Sequence, residues 1–130
     1  MPVDDLEKAR SFYGTLLGCT EGRCAPKWID FNFFGHQLSL HLRPDECTAA
    51  RTNEVDGDAV PVRHFGIVLQ WNDWEQLHAR LSDEHVEYLL APKIRFAGKI
   101  GEQGTFFLRD PAGNALEFKT FRDPARLFDS

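Results

Sequence analysis

The spacing of apolar and polar positions changes several times along the chain, and each change marks an element. Leu6, Ala9, Phe12 or Tyr13, Leu16 and Leu17 recur at helical spacing, predicting a helix over about 5–17. Asp4 and Glu7 resemble a capping box at its start, and Gly18 can supply its left-handed stop. After a turn around Gly22 and Pro26, the aromatic run Trp28 to Phe34 and the segment Gln37 to Leu42 flank Gly35 as two strands of a hairpin. Alternation in the second is strict: Leu38, Leu40 and Leu42 share one face, Gln37, Ser39 and His41 the other.

Residues 43–61 carry Pro44, Gly57, Pro61 and several charges without a period, and they read as a connector. Beyond it, His64 to Gln70 alternates as a strand, with Phe65, Ile67 and Leu69 opposite His64, Gly66 and Val68. A helix over about 73–83 follows, capped by Asn72 and buried through Trp74, Leu77 and Leu81. Val86 to Leu90 reads as a strand, Ala97 to Gly104 as a glycine-rich loop, and Thr105 to Leu108 as a strand. Asp110-Pro111-Ala112-Gly113-Asn114 is a turn leading into a last strand, Ala115 to Phe121.

These elements repeat. Aligning Asp5-Leu6 with Asp73-Trp74 superposes the helices, and aligning Gly35 with Gly113 superposes the closing hairpins. The second half has a strand before its helix, whereas the first begins almost at its helix. Its opening strand therefore reads as missing, as in an N-terminally truncated chain. The expected fold is α+β, a pair of βαβββ modules forming a curved mixed sheet around a cleft within one domain, 1–130. Module one spans about 1–45, the connector about 46–61, module two about 62–121, and a tail 122–130.

Composition narrows the function. The 130 residues include 20 acids against 15 Lys and Arg, a net charge of −5, which lacks the basic excess that nucleic acid attracts. No apolar run approaches the ~20 residues of a membrane span, and the start MPVDDLEKAR is not signal-like, so a cytoplasmic protein without nucleic-acid or membrane partners is expected. Cys19, Cys24 and Cys47 form no CxxC pair and read as reduced.

Two residues stand out chemically. Leu116 and Phe118 flank Glu117 and face the core, so Glu117 points the other way, as His64 does relative to Phe65. An imidazole and a carboxylate facing one cleft suit iron, manganese or zinc. The residues alone equally allow a hydrogen-bonded surface histidine and a solvated glutamate. Arg95, Lys99 and Gln103, on or near the long loop, are candidates for closing over an anionic substrate.

VDDLEKARSFYGTLLG, HFGIVL and DPAGNALEFK together resemble the vicinal oxygen chelate superfamily: glyoxalases, bleomycin-resistance proteins, epimerases and extradiol dioxygenases. The resemblance covers nearly the whole chain and implies paired βαβββ modules enclosing a divalent ion (Fe, Mn, Zn or Ni), with His64 and Glu117 as ligands. It implies a third ligand from the strand read as missing, upstream of Met1. A fourth would fall at Ser39, a poor ligand, which points away from a four-ligand glyoxalase site and towards the facial triad of extradiol dioxygenases. His41, two residues on, is then a candidate acid/base or substrate contact, with Ser39 beside it, and Glu117 is also a candidate catalytic group. The expected function is a metal-dependent glyoxalase- or dioxygenase-like enzyme whose small substrate chelates the ion through vicinal oxygens. The alternative is a non-catalytic, bleomycin-resistance-like binder. A homodimer is expected from the long connector, a possible open edge, and the module pairing that the resemblance implies.

Overall fold

The computed structural model describes residues 1–55 and 57–128. The chain divides into two compact units, Met1–Arg51 with Arg109–Asn114, and Thr52–Leu108 with Ala115 onward. Each contains one four-stranded sheet. In the first unit the order is β1 (Pro2–Val3), β4 (His36–Leu42), β3 (Trp28–Phe33), β2 (Thr20–Ala25); in the second it is β7 (His64–Leu69), β10 (Ala115–Phe121), β9 (Gln103–Arg109), β8 (Leu90–Arg95). In both, the opening strand pairs in parallel with the closing one. With one helix after each opening strand, both units are βαβββ.

The opening strand expected to be missing from the first unit is present but reduced to two residues. Val3 pairs with Leu42 and Pro2 with His41, the ladder places that Leu69 and Val68 take opposite Thr120 and Lys119 in the second unit. Periodicity cannot reveal two residues.

Helix α1 (Leu6–Ala9) continues as a π-helical stretch, Arg10–Leu16. Its cap is Asp5, not Asp4: the Asp5 carboxylate accepts from the backbone N–H of Glu7 at 2.8 Å and of Lys8 at 3.0 Å. The wide turn is seen where Leu17 N–H donates to the Phe12 carbonyl at 2.9 Å, five residues back, and Gly18 then ends the element at φ +73°. α1 and the π-helical stretch supply Ala9, Phe12 and Tyr13 to a core with Ile29, Phe31, Phe33, Leu38 and Leu40.

In the second unit, α2 (Trp71–Asp83) starts directly off β7, with Gln70 at its N-cap rather than Asn72. Trp74, Leu77 and Leu81 are buried, Trp74 donating its indole N–H to the Phe118 carbonyl at 2.9 Å. Phe106 stacks on Phe118 at 4.9 Å beneath it. The strand expected at Val86 to Leu90 instead begins at Leu90. Tyr88 is tied back to the helix, its hydroxyl donating to the His78 carbonyl at 3.0 Å, which holds the preceding segment out of the sheet.

Two further strands were not expected. Thr20–Ala25, read as a turn, is the edge strand β2, and the connector contains a hairpin of β5 (Thr52–Val55) and β6 (Asp58–Pro61). One edge strand of each four-stranded sheet breaks register once, β2 between Glu21 and Cys24 and β8 between Leu90 and Lys93. Among the described residues no helix is long and apolar enough to cross a membrane.

Candidate functional site

The turn before β10 is built around one carboxylate. Asp110, buried in the first unit, accepts from the backbone N–H groups of Ala112 at 3.0 Å and Asn114 at 2.8 Å, from the Asn114 amide at 2.8 Å and from the Tyr13 hydroxyl at 2.7 Å. Burial first, and the neighbouring Asp110 charge second, push the Tyr13 hydroxyl well above its ordinary pKa. Gly113 takes φ +89°, and the Asn114 amide donates to the Pro2 carbonyl at 2.9 Å. The most specific stretch of the sequence, Asp110 to Asn114, is thus a structural knot that sets where β10 begins.

From that start, parallel pairing sets Ala115 opposite His64 and Glu117 opposite Gly66. Partners across a ladder share a face, so Glu117, Lys119, His64, Gly66 and Val68 lie together, opposite the core residues Leu116, Phe118 and Ile67. His64 Nε2 lies 3.5 Å from Glu117 Oε2. The Thr105 hydroxyl donates to Glu117 Oε1 at 2.8 Å, and Lys119 Nζ is 3.8 Å from the same oxygen. The His64 ring meets Phe107 edge-on at 5.1 Å.

The imidazole tautomer follows from its other nitrogen. Nδ1 lies 2.6 Å from the Pro61 carbonyl, which can only accept, so Nδ1 carries a proton. In the neutral ring, Nε2 then turns its lone pair towards a carboxylate oxygen. Two acceptors 3.5 Å apart repel unless a cation or a proton lies between them. Gly66 keeps this space open: a Cβ there would stand 2.6 Å from the Glu117 carbonyl oxygen and 2.8 Å from its Cβ.

The His64–Glu117 spacing is compatible with two ligands of one divalent ion. Ligand bonds of about 2.0–2.2 Å allow two ligands of one ion to be at most ~4.4 Å apart, and the pair is within that limit. A backbone acceptor on Nδ1 and a hydroxyl on the far carboxylate oxygen are the outer supports that metal-binding His and Glu use. Among the described residues, no third His, Cys, Asp or Glu joins them to form a ligand cluster.

Arg95 and Gln103 lie on this same face. Arg95 pairs with Gln103 and Lys93 with Thr105 across β8 and β9, and Thr105 reaches Glu117. Arg95 donates to Asp58 Oδ2 at 2.8 Å, and Lys93 contacts the same oxygen. These bonds, Lys93 first and Arg95 next, hold the Asp58 carboxyl below the usual carboxylate range. Lys99 is exposed on the 96–102 loop, which Glu102 ties together by accepting from Gly98 N–H at 2.5 Å and Arg122 Nε at 2.9 Å. Lys93, Asp58, Thr105 and Lys119 were missed from sequence, although Lys93 and Lys119 stand two residues from a named candidate and so share its face.

Ser39 and His41 belong to the first unit. Ser39 pairs with Asp30, to which its hydroxyl donates at 2.6 Å; Gln37 donates at 2.9 Å and Arg23 at 3.5 Å. Asp30 is buried, and these donors, Ser39 foremost, hold its carboxyl below the ordinary range. His41 pairs with Trp28 and lines a hollow of about 440 Å³ with Lys27 and Arg43. Asp30 was read as part of an aromatic strand; its place opposite Ser39 was the available signal.

The chain thus consists of two βαβββ units, the second carrying a histidine and a glutamate side by side on its sheet face. Residues 1–118 match the Glyoxalase/Bleomycin resistance protein/Dioxygenase superfamily, and the chain belongs to that family. A glyoxalase/bleomycin resistance protein/dioxygenase from Alicyclobacillus acidocaldarius is 36% identical with a TM-score of 0.78, covering 98% of this chain and 92% of its own. The fosfomycin resistance protein FosX from Listeria monocytogenes (17% identity, TM-score 0.67, coverage 92% and 87%) shares the fold. So does lactoylglutathione lyase from Agrobacterium tumefaciens (19%, 0.62, coverage 92% and 88%). No curated protein matches.

Proposed function

We propose that the sheet face of the second unit is a divalent-metal site, with His64 Nε2 and Glu117 Oε2 as ligands, in a metal-dependent enzyme of glyoxalase or dioxygenase type. Its substrate is a small molecule that chelates the ion through vicinal oxygens, and the site is most like an extradiol-type one. The observation that carries this reading is the 3.5 Å approach of two acceptors, one on a ring whose proton is committed to Pro61. Iron, manganese, zinc or nickel fits the nitrogen and oxygen donors. When bound, such an ion supplies Lewis-acid stabilisation of developing oxyanion charge.

The chain's own residues have separate tasks. Glu117 brings the negative charge that offsets the cation. Thr105 holds the far carboxylate oxygen, so that Oε2 is the one presented to His64. The Pro61 carbonyl fixes the His64 ring, and Phe107 covers its edge. A second reading, a binder like the bleomycin-resistance proteins, is favoured by the cluster having two members among the described residues.

Metal titration of the purified chain, with elemental analysis, separates the two readings. Wild type is expected to retain about one ion per chain, and Glu117→Gln to bind at least ~100-fold more weakly, because the amide removes the charge. Unchanged metal content in that variant overturns the assignment.

A further inference from the structure

Two residues beyond Glu117 on β10, Lys119 lies on the same face, opposite Val68 of β7. Its Nζ is 3.8 Å from Glu117 Oε1, longer than a hydrogen bond; the hydrogen bond to that oxygen comes from the Thr105 hydroxyl at 2.8 Å. Lys119 therefore acts on Glu117 through its charge. On its other side the ammonium lies 5.8 Å from the ring centre of Phe121, which is buried, so a fixed aromatic platform holds it as well as a carboxylate. The face is open beside it: the Lys119 side chain is 33% exposed and Val68 is 47% exposed.

We infer that Lys119 is a specificity-determining residue, through which the site holds its ion weakly alone and tightly in company with an anionic chelating substrate. This rests on reading His64 and Glu117 as metal ligands. In the ion-free chain the Lys119 ammonium and the Glu117 carboxylate offset one another. A divalent ion at Oε2 draws on that same negative charge, so two cations then compete for one carboxylate. The Phe121 ring favours the ammonium where it stands, which keeps the two cations close. A ligand that brings negative charge with its vicinal oxygens stabilises both cations at once, whereas a neutral ligand of the same shape stabilises neither. The substrate class is accordingly an ionised chelator, such as an α-hydroxy or α-oxo acid, in preference to a neutral diol or diketone.

Manganese is the probe ion, its free fraction read by electron paramagnetic resonance in the presence of the full chain. Oxalate and its neutral isostere oxamide are the probe ligands, titrated calorimetrically into the manganese-loaded chain. Lys119→Met should bind manganese alone about tenfold more tightly than wild type, because the competing cation is gone. The loaded variant should bind oxalate about tenfold more weakly than loaded wild type and oxamide within about twofold, so its preference for the charged ligand falls. Lys119→Arg, which keeps the charge, should restore that preference; should Lys119→Met fail to fold, Lys119→Gln carries the same test. Manganese affinity unchanged in the neutral variant, or an oxalate preference unchanged in it, overturns this inference alone, provided that wild type binds manganese and Glu117→Gln loses it. A wild-type chain that takes up no ion overturns the metal reading and this inference together.

Discussion

Both units set a hydroxyl against a carboxylate on adjacent strands, but with the roles exchanged. In the first, the acid is on β3 and the hydroxyl on β4: Asp30 accepts from Ser39, Gln37 and Arg23. In the second, the acid is on β10 and the hydroxyl on β9. Glu117 accepts from Thr105 through one oxygen and sets the other 3.5 Å from His64 Nε2. The same scaffold therefore produces a carboxylate held by three side-chain donors and a carboxylate held by a single hydroxyl, with a lysine and an imidazole beside it. Only the second has an imidazole nitrogen beside its free oxygen, the pairing on which the proposed metal site rests.

The difference predicts unequal responses to equivalent changes. The largest concerns glycine. Gly66→Ala places a methyl 2.6 Å from the Glu117 carbonyl oxygen, which only backbone movement relieves, and should cost about 2–3 kcal/mol of stability. Gly22→Ala in the first unit meets Asp30 at an ordinary 3.5 Å and should change stability by less than about 1 kcal/mol. Urea denaturation of both variants checks the contrast; equal losses would show that the space beside Glu117 is nothing special.

Next in size is the hydroxyl. Thr105→Val should weaken metal binding about tenfold while barely changing fluorescence-monitored unfolding, because the carboxylate loses its orientation and not its charge. Ser39→Ala should leave metal affinity unaltered and lower the melting temperature, Asp30 having lost its shortest hydrogen bond. Reversal of these outcomes would exchange the roles assigned to the two clusters.

The smallest effect is one of pH. Asp30 is held below its unfolded pKa by Ser39, Gln37 and Arg23, so its contribution to stability is present above that unfolded value, near 4, and is lost as pH falls through the folded one. The melting-temperature gap between wild type and Asp30→Asn should therefore be full at pH 7 and close on acidification. A gap that widens towards pH 3 would show that the carboxyl is raised rather than lowered.

What could be read from sequence depended on which forces left a pattern. Buried faces did: Leu38 and Leu40, or Trp74, Leu77 and Leu81, are where alternation or helical spacing puts them, because burial imposes a period. Exposed elements did not. β2, Thr-Glu-Gly-Arg-Cys-Ala, is held by backbone pairing at a sheet edge and needs no apolar face, so its side chains look like those of a turn. The connector hairpin is polar too, although Asp56-Gly57 between Val55 and Asp58 is a dipeptide favoured in tight hairpin turns. Strand parity sufficed to put His64 and Glu117 on one face. It could not show that Asp58 would arrive from the connector to meet Lys93 and Arg95, since that contact depends on where an aperiodic segment folds.

The register breaks in β2 and β8 bear on a hazard of open sheets. An edge strand offers a row of unpaired N–H and C=O groups on which another chain can build, and a long flat edge invites fibril growth. Here one edge of each four-stranded sheet is kinked once, between Glu21 and Cys24 and between Leu90 and Lys93, the latter around a proline that has no N–H to offer. Neither β2 nor β8 presents an uninterrupted template. At these two edges the sheets are therefore protected against pairing with another chain, while β1 and β7 form the opposite edges.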